Sequence, residues 1–309
     1  MGYLIRKMID RKWRETERRD QVRLKYQTLP AGVEVEAGLP YLPDGDPMHT
    51  LNVYRPAGVQ GPLPTILDIH GGGWMYGDRE LNRAYCMALA AQGYAVMGMS
   101  YRLLPQVDLR GQVQDVFASF HWLERHGEGY GFDLSRILLT GDSAGGHLAG
   151  LTACIQKSRA LQALYGVEPL KHPFSALAIA HGVCDVYHFT FLPSPLGQAI
   201  AREYRRLLFG PRWKLSPLYG HASFEDTAPG LDLPPILVIA SEPDRYFRQS
   251  QRLMEYLDAS SWEHETILWT REQGERLTHV FEVGYWDWPE SQETNAKMLN
   301  FFCRACQGR

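Results

Sequence analysis

No stretch of this 309-residue chain is apolar for long enough to span a bilayer, and its amino terminus lacks an apolar run ending in a small-residue cleavage site. Neither a membrane-inserted protein nor a secretory leader is expected, and the sequence reads as cytoplasmic. A basic excess is missing too. Thirty-two Lys and Arg against 35 Asp and Glu give a formal net charge of −3, and no basic run is interleaved with aromatics, so nucleic acid is not an expected partner. Cysteine is sparse, with five residues, an odd number. Cys86, Cys154 and Cys184 fall in apolar segments and read as small buried hydrophobes. Cys303 and Cys306 form a C-x-x-C pair on a predicted helix from Glu290 to Cys306, but no second pair completes a zinc site, so no metal is expected. Repeats and low-complexity segments are absent. What is present is 45% hydrophobic residues over 309 positions, enough for the core of one large domain, 1–309. Nothing in the sequence sets an oligomeric state.

Apolar strand-like runs alternate with helical patterns along the chain. Strands are predicted over 32–37, 50–54, 65–69, 94–100, 136–140, 177–180, 235–240 and 266–270. Val113, Val116, Phe117, Phe120 and Leu123 recur at helical spacing and predict a packing helix over 112–126. This alternation implies an α/β protein with a mostly parallel sheet and helices on both faces.

The most informative residues are Gly141-Asp142-Ser143-Ala144-Gly145-Gly146, a G-x-S-x-G turn directly behind the strand 136–140 and ahead of a helix-compatible run from His147. Such a turn holds its serine in a strained conformation with the hydroxyl exposed at the carboxyl end of a sheet, and small neighbours keep strand and helix from colliding. Ser143 is the candidate nucleophile. The strand 65–69 runs into His70-Gly71-Gly72-Gly73-Trp74, a glycine loop of the kind that offers backbone N–H groups to a developing oxyanion. Gly72, Gly73 and Ala144 are the candidate donors. A phosphate cradle is the competing reading, but neither a GKS/T ending nor a G-x-G-x-x-G pattern follows. Asp142, inside the turn, is expected to support local structure.

HGGGW followed by GDSAGG resembles the α/β-hydrolase fold, and within it the hormone-sensitive-lipase-like and xylan- or feruloyl-esterase-like carboxylesterases, over nearly the whole chain. The resemblance implies a triad in the order Ser, Asp or Glu, His. Asp244, in the loop after the strand 235–240, matches the family's acid, with Glu242 as the alternative. His279, just beyond the last strand, matches its base, ahead of His264, His181, His147 and His70; His147 and His70 are expected to support or pack, and His181 with Asp185 to pack or to line the site. The implied activity is hydrolysis of short-acyl esters through an acyl-serine, on a small-molecule ester, with carbohydrate acetyl or feruloyl esters and xenobiotic esters all open. No cofactor is required. Amide cleavage by an arylformamidase or peptidase, and a non-catalytic binding protein of the same fold, are the competing functions.

Two segments exceed a minimal core. Ile5, Met8, Ile9 and Trp13 share one helical face, and residues 1–30 are expected to join 187–233, with a helix near 198–208, as a cap over Ser143. Trp74, Tyr76, Phe189 and Phe281 are candidate substrate-binding residues. Phe191, Phe209, Trp213 and Tyr219 are further candidates for a pocket wall, with simple packing as the alternative for each.

Overall fold

The computed structural model describes residues 2–188 and 194–307. Along the chain run α1 (Gly2–Tyr26), β1 (Val33–Pro40), β2 (Thr50–Pro56), β3 (Leu63–Ile69), α2 (Arg83–Ala90), β4 (Ala95–Met99), α3 (Leu109–His126) and β5 (Phe132–Asp142). The second half carries α4 (Ala144–Lys157), α5 (Arg159–Tyr165), β6 (Ala176–Ala180), α6 (Pro195–Phe209), α7 (Phe224–Thr227), β7 (Ile236–Ser241), α8 (Phe247–Asp258), β8 (His264–Trp269), α9 (Phe281–Gly284) and α10 (Pro289–Gln307). The strands form one eight-stranded sheet in the order β1-β2-β4-β3-β5-β6-β7-β8. β1 and β2 pair antiparallel, as do β2 and β4, and every other pair is parallel.

Every residue of β4, β6 and β7 is buried, as expected of parallel strands covered on both faces. The two-residue strand period divides the core. Leu67, Ile137 and Leu139 face the layer containing Val113, Val116, Phe117 and Phe120 of α3 and Leu148 of α4. Ile66 and Leu138 face the opposite layer, with Tyr85 and Leu89 of α2 and Met298, Phe301 and Phe302 of α10. α3 starts where Asp108 accepts a hydrogen bond from the Gly111 amide at 3.1 Å, a side-chain cap of a type typically worth about 1 kcal/mol. α6 begins with a Ser194 cap and Pro195 in its first turn, longer than the predicted 198–208.

Register aligns the carboxyl ends of the central strands. Ile69 pairs with Gly141, Asp142 with Ala180, Ala180 with Ile239, and Ser241 with Trp269. The segments after β3, β5, β6, β7 and β8 therefore leave the sheet side by side, where ligands bind in open α/β sheets. The amphipathic stripe of α1 is narrower than predicted: Ile5 and Ile9 are buried, whereas Met8 is 47% exposed. Among the described residues all five cysteines are free, with Cys86, Cys154 and Cys184 buried. No described helix is long and apolar enough to cross a membrane.

Candidate active site

Ser143 sits between β5 and α4 at φ 53° and ψ −113°, a strained conformation for a residue with a side chain. The turn closes only because its neighbours are small. A Cβ on Gly145 would stand 1.8 Å from the Ile69 carbonyl oxygen, and one on Gly141 would stand 2.5 Å from that of Gly145. The Ser143 amide donates to the Ala180 carbonyl at 2.9 Å, pinning the turn to β6.

The hydroxyl of Ser143 lies 2.9 Å from His279 Nε2, and His279 Nδ1 lies 2.8 Å from Asp244 Oδ2. Three residues from three different loops thus form a hydrogen-bonded chain. Asp244 is further fixed by the Tyr246 amide, which donates to its Oδ1 at 2.8 Å. Burial would raise its pKa, but the neighbouring His279 and His181 outweigh that and hold the carboxyl well below the usual carboxylate range. Glu242, the alternative acid, accepts from the Arg271 amide at 3.0 Å, outside this chain. His264 is bonded to Asp258 at 3.0 Å, away from Ser143.

Across from the imidazole runs the glycine loop. Gly72 has φ 106°, and a Cβ there would lie 2.0 Å from the Tyr76 carbonyl oxygen. Gly73 has φ 57°, and its Cβ would meet the Trp13 ring at 2.1 Å. Asp142 holds the loop down by accepting from the Gly71 amide at 2.9 Å and from Asn82 at 2.8 Å, a local structural role. Ala144 is the first residue of α4, where helix amides have no intrahelical acceptor. His70 stacks on Tyr101 with ring centres 4.4 Å apart, and burial lowers its pKa to about 4.

A cavity of about 400 Å³ opens above these groups, with Gly72, Gly73, Ser143 and His279 in its wall and Tyr76 and Tyr246 beside them. α1 crosses it. Trp13 stacks on Tyr76 at 5.1 Å and donates to the Tyr204 hydroxyl at 2.7 Å. Tyr76 bonds Asp20, and Arg23 donates to the Gly284 carbonyl at 3.1 Å. Trp13, Thr16, Arg19 and Arg23 all line the cavity.

Two expected binding residues are elsewhere. Trp74 is fully buried and does not line the cavity, its indole donating to His147 Nδ1 at 3.2 Å while His147 Nε2 bonds the Ala222 carbonyl at 2.9 Å. Burial lowers the His147 pKa to about 4, and the two bonds fix one neutral tautomer. Phe281 is 1% exposed and packs edge-on against His181 and Trp269, beneath the site. Both large apolar side chains are better placed in the core than on a wetted wall. Phe189 and Phe191 lie outside the described residues. Phe209, Trp213 and Tyr219 cluster around one another and Tyr187 and do not line the cavity.

Sequence reasoning under-read His181, expected only to pack or to line the site, and missed the cavity's arginines. His181, the residue after β6, bonds Asp244 Oδ2 at 2.9 Å, the same oxygen that His279 Nδ1 contacts, and its Nε2 lies 3.2 Å from Glu282 Oε2. Its position beside the elbow strand was the available signal. The cavity also carries Arg19 and Arg23 of α1 and Arg245, none of them marked by a motif. Ligand atoms of His181, Asp244 and His279 lie within 4.8 Å of one another, and both imidazoles contact Asp244 Oδ2 at hydrogen-bond length.

Comparison with known proteins agrees with this geometry. The family model described as BD-FAE matches residues 51–257. Esterase B from Lactobacillus rhamnosis is 44% identical, with a TM-score of 0.94 over 99% of this chain and 96% of that one. A form of the same esterase inhibited by a C4-C4 SN3 tributyrin phosphonate superposes at 0.93 with 44% identity over 99% of this chain and 96% of that one. Lipase 2 of Moraxella sp. is 40% identical over 89 residues, 28% of this chain and 21% of that protein. Esterase LipI of Mycobacterium tuberculosis is 37% identical over 95 residues, 30% of each. The matched stretch thus spans between a fifth and a third of these two relatives. With the family model covering two thirds of the sequence and a full-length structural match at 44% identity, the chain belongs to the BD-FAE family of the α/β-hydrolase fold.

Proposed function

We propose that the protein is a serine carboxylesterase acting on small esters of short acyl groups. The observation that carries this is the unbroken chain from Ser143 through His279 to Asp244 at the floor of a cavity faced by the glycine loop. His279 Nε2 takes the Ser143 proton as Oγ bonds to the ester carbonyl carbon, and the carbonyl oxygen becomes an oxyanion met by the amides of Gly72, Gly73 and Ala144. Collapse expels the alcohol, which leaves with the proton from His279. Water then adds to the acyl-Ser143 carbonyl by the same route, releasing the carboxylic acid and the free hydroxyl. Asp244 keeps the proton of neutral His279 on Nδ1 and stabilises the imidazolium without itself being protonated.

Support for a small ester comes from the esterase relatives, one of them inhibited by a tributyrin phosphonate. Support for short acyl groups, about two to six carbons, comes from the bulky wall of Trp13, Tyr76 and Tyr246; each added methylene should help by about 0.8 kcal/mol until the pocket is full. Residues 2–30 act as part of the lid, and the described part of 187–233 supports it through the Trp13–Tyr204 bond without lining the cavity. A cytoplasmic setting belongs to the same proposal and rests on cysteines kept as free thiols. The test is kcat/KM for p-nitrophenyl esters of increasing chain length, beside acetylated xylo-oligosaccharides, methyl ferulate and N-formylkynurenine, with Ser143→Ala as control. Ester turnover peaking at a short chain and abolished in Ser143→Ala is expected; N-formylkynurenine as the best substrate would replace the reading with an amide hydrolase.

A further inference from the structure

Beneath the catalytic chain lies a second buried histidine whose two ring nitrogens both point at carboxylates. His181 Nδ1 is 2.9 Å from Asp244 Oδ2, and Nε2 is 3.2 Å from Glu282 Oε2. With both carboxylates ionised, each only accepts hydrogen bonds, so both ring nitrogens donate and the ring is an imidazolium. Both His181 and Glu282 side chains are entirely buried. His181 also holds φ 49°, an uncommon conformation for a residue with a side chain, and its amide is tied to the Ile239 carbonyl at 2.8 Å. Glu282 Oε1 has no partner among the described residues, which leaves His181 as the only cation in contact with that carboxylate. A stable core gains little from such a pair, since hydrophobic residues of equal volume serve as well or better.

We propose that His181 is a positioning residue for the reaction: an imidazolium, held charged by Glu282, that aims the Asp244 carboxylate and offsets part of its field at His279. The proposal rests on the serine-hydrolase reading of the site. Asp244 Oδ2 receives both imidazoles, so the His181 charge lies against the same oxygen that attracts a proton onto His279. The two rings are perpendicular with centres 5.6 Å apart. Without that charge, Asp244 would bind an imidazolium at His279 more strongly, and a protonated His279 is no base. Burial alone would lower the His181 pKa, yet Glu282 and Asp244 reverse that and raise it to about 10, in agreement with the geometry. The other groups facing His279 are Ser143 and Asp142 of the elbow and Tyr246 after β7, with Arg245, Arg19, Arg23 and Asp20 farther out around the cavity. Among the described residues hydrogen-bonded to the Asp244 carboxylate, His181 is the one besides His279 that can carry a positive charge.

The test uses the full chain. His181→Asn keeps one donor and tolerates the positive φ, while His181→Asn/Glu282→Gln also removes the carboxylate that the first change strands. Both variants should show the acid limb of kcat/KM displaced upward by about one pH unit, so that activity at pH 6 falls about tenfold relative to pH 8. The double variant should recover thermal stability lost in the single one, which a purely structural role could also give, but its pH profile should stay displaced. In wild-type protein labelled with ¹⁵N-histidine, one imidazole should keep both nitrogens protonated from pH 6 to 9, a measurement that does not depend on either variant folding. An undisplaced acid limb in a folded variant, or no histidine doubly protonated at pH 8, overturns the proposal. Wild type that neither turns over esters nor reacts with a fluorophosphonate at Ser143 defeats the hydrolase reading itself, and the two failures are thereby separate.

Discussion

In the proposed mechanism His279 can act only if the proton on its ring sits on Nδ1, where Asp244 would keep it. Asp244→Asn places an N–H donor against Nδ1 and favours the opposite tautomer, with Nε2 protonated and unable to accept from Ser143. A loss in kcat on the order of 10³–10⁴ with little change in KM is expected, read by steady-state kinetics. Gly73 is limited twice, by its φ of 57° and by the Trp13 ring that would lie 2.1 Å from an added Cβ. Gly73→Ala should lower kcat by at least tenfold through displacement of an oxyanion donor. Adding Trp13→Gly removes the steric part and should restore some of that loss; a double variant no better than Gly73→Ala would show that backbone strain alone is responsible.

At the scale of elements, α1 is the one whose position has the largest functional consequence. Its 25 residues bury only Ile5 and Ile9, and it is otherwise laced with i,i+4 ion pairs such as Arg6–Asp10 and Arg11–Glu15, each worth a few tenths of a kcal/mol. Such a helix is held by where it docks. Its anchors are side-chain bonds to four separate segments: Lys12 to Tyr246, Trp13 to Tyr204, Asp20 to Tyr76, and Arg23, joined by Gln27 just beyond the helix, to the Gly284 carbonyl. Deleting residues 1–27 removes Trp13, Thr16, Arg19 and Arg23 from the cavity wall. KM should rise several-fold and the optimum acyl chain should lengthen, because the pocket loses one side. Kinetics identical to the full chain would assign the helix a role remote from substrate.

For the whole molecule, the buried ionic chain makes stability depend on pH in a definite direction. His181 is raised to about 10 when folded, so its contribution is complete below the ordinary histidine value of about 6.5 and is lost as pH climbs toward 10. Asp244 is depressed, so its contribution is present above the ordinary aspartate value of about 4 and is lost as pH falls below that. Asp68, pushed up to about 7 by burial and by Asp142, has a pH dependence that ends near 7. Cys86, Cys154 and Cys184, raised by burial, begin to weigh against the fold only as unfolded thiols ionise, near 8.5 and above. Between pH 7 and 8.5 the tail of the Asp68 titration and the onset of the three cysteines act in the same direction as His181, so the His181 part is the difference between wild type and His181→Asn. The wild-type Tm should decline across that window and that of His181→Asn should decline less; parallel slopes in the two proteins would count against a charged His181.

Local sequence was enough for the elbow, the glycine loop, the alternation of strands and helices, and the packing face of α3. Each depends on neighbours within a few positions, through the size of glycine, the two-residue strand period or the 3.6-residue helix period. The resemblance carried Asp244 and His279 to the loops where the structure brings them against Ser143. The chain by itself could not separate a wall from a core. Trp74, at φ 62°, and Tyr76 are two residues apart in one loop, yet the first is buried against His147 and the second lines the cavity. Nor could it join His181 to Glu282 across 101 positions, or bring Trp13 onto Gly73. Those contacts exist only because the sheet register lines up five carboxyl ends and α1 folds back across them, a long-range arrangement that no local pattern encodes.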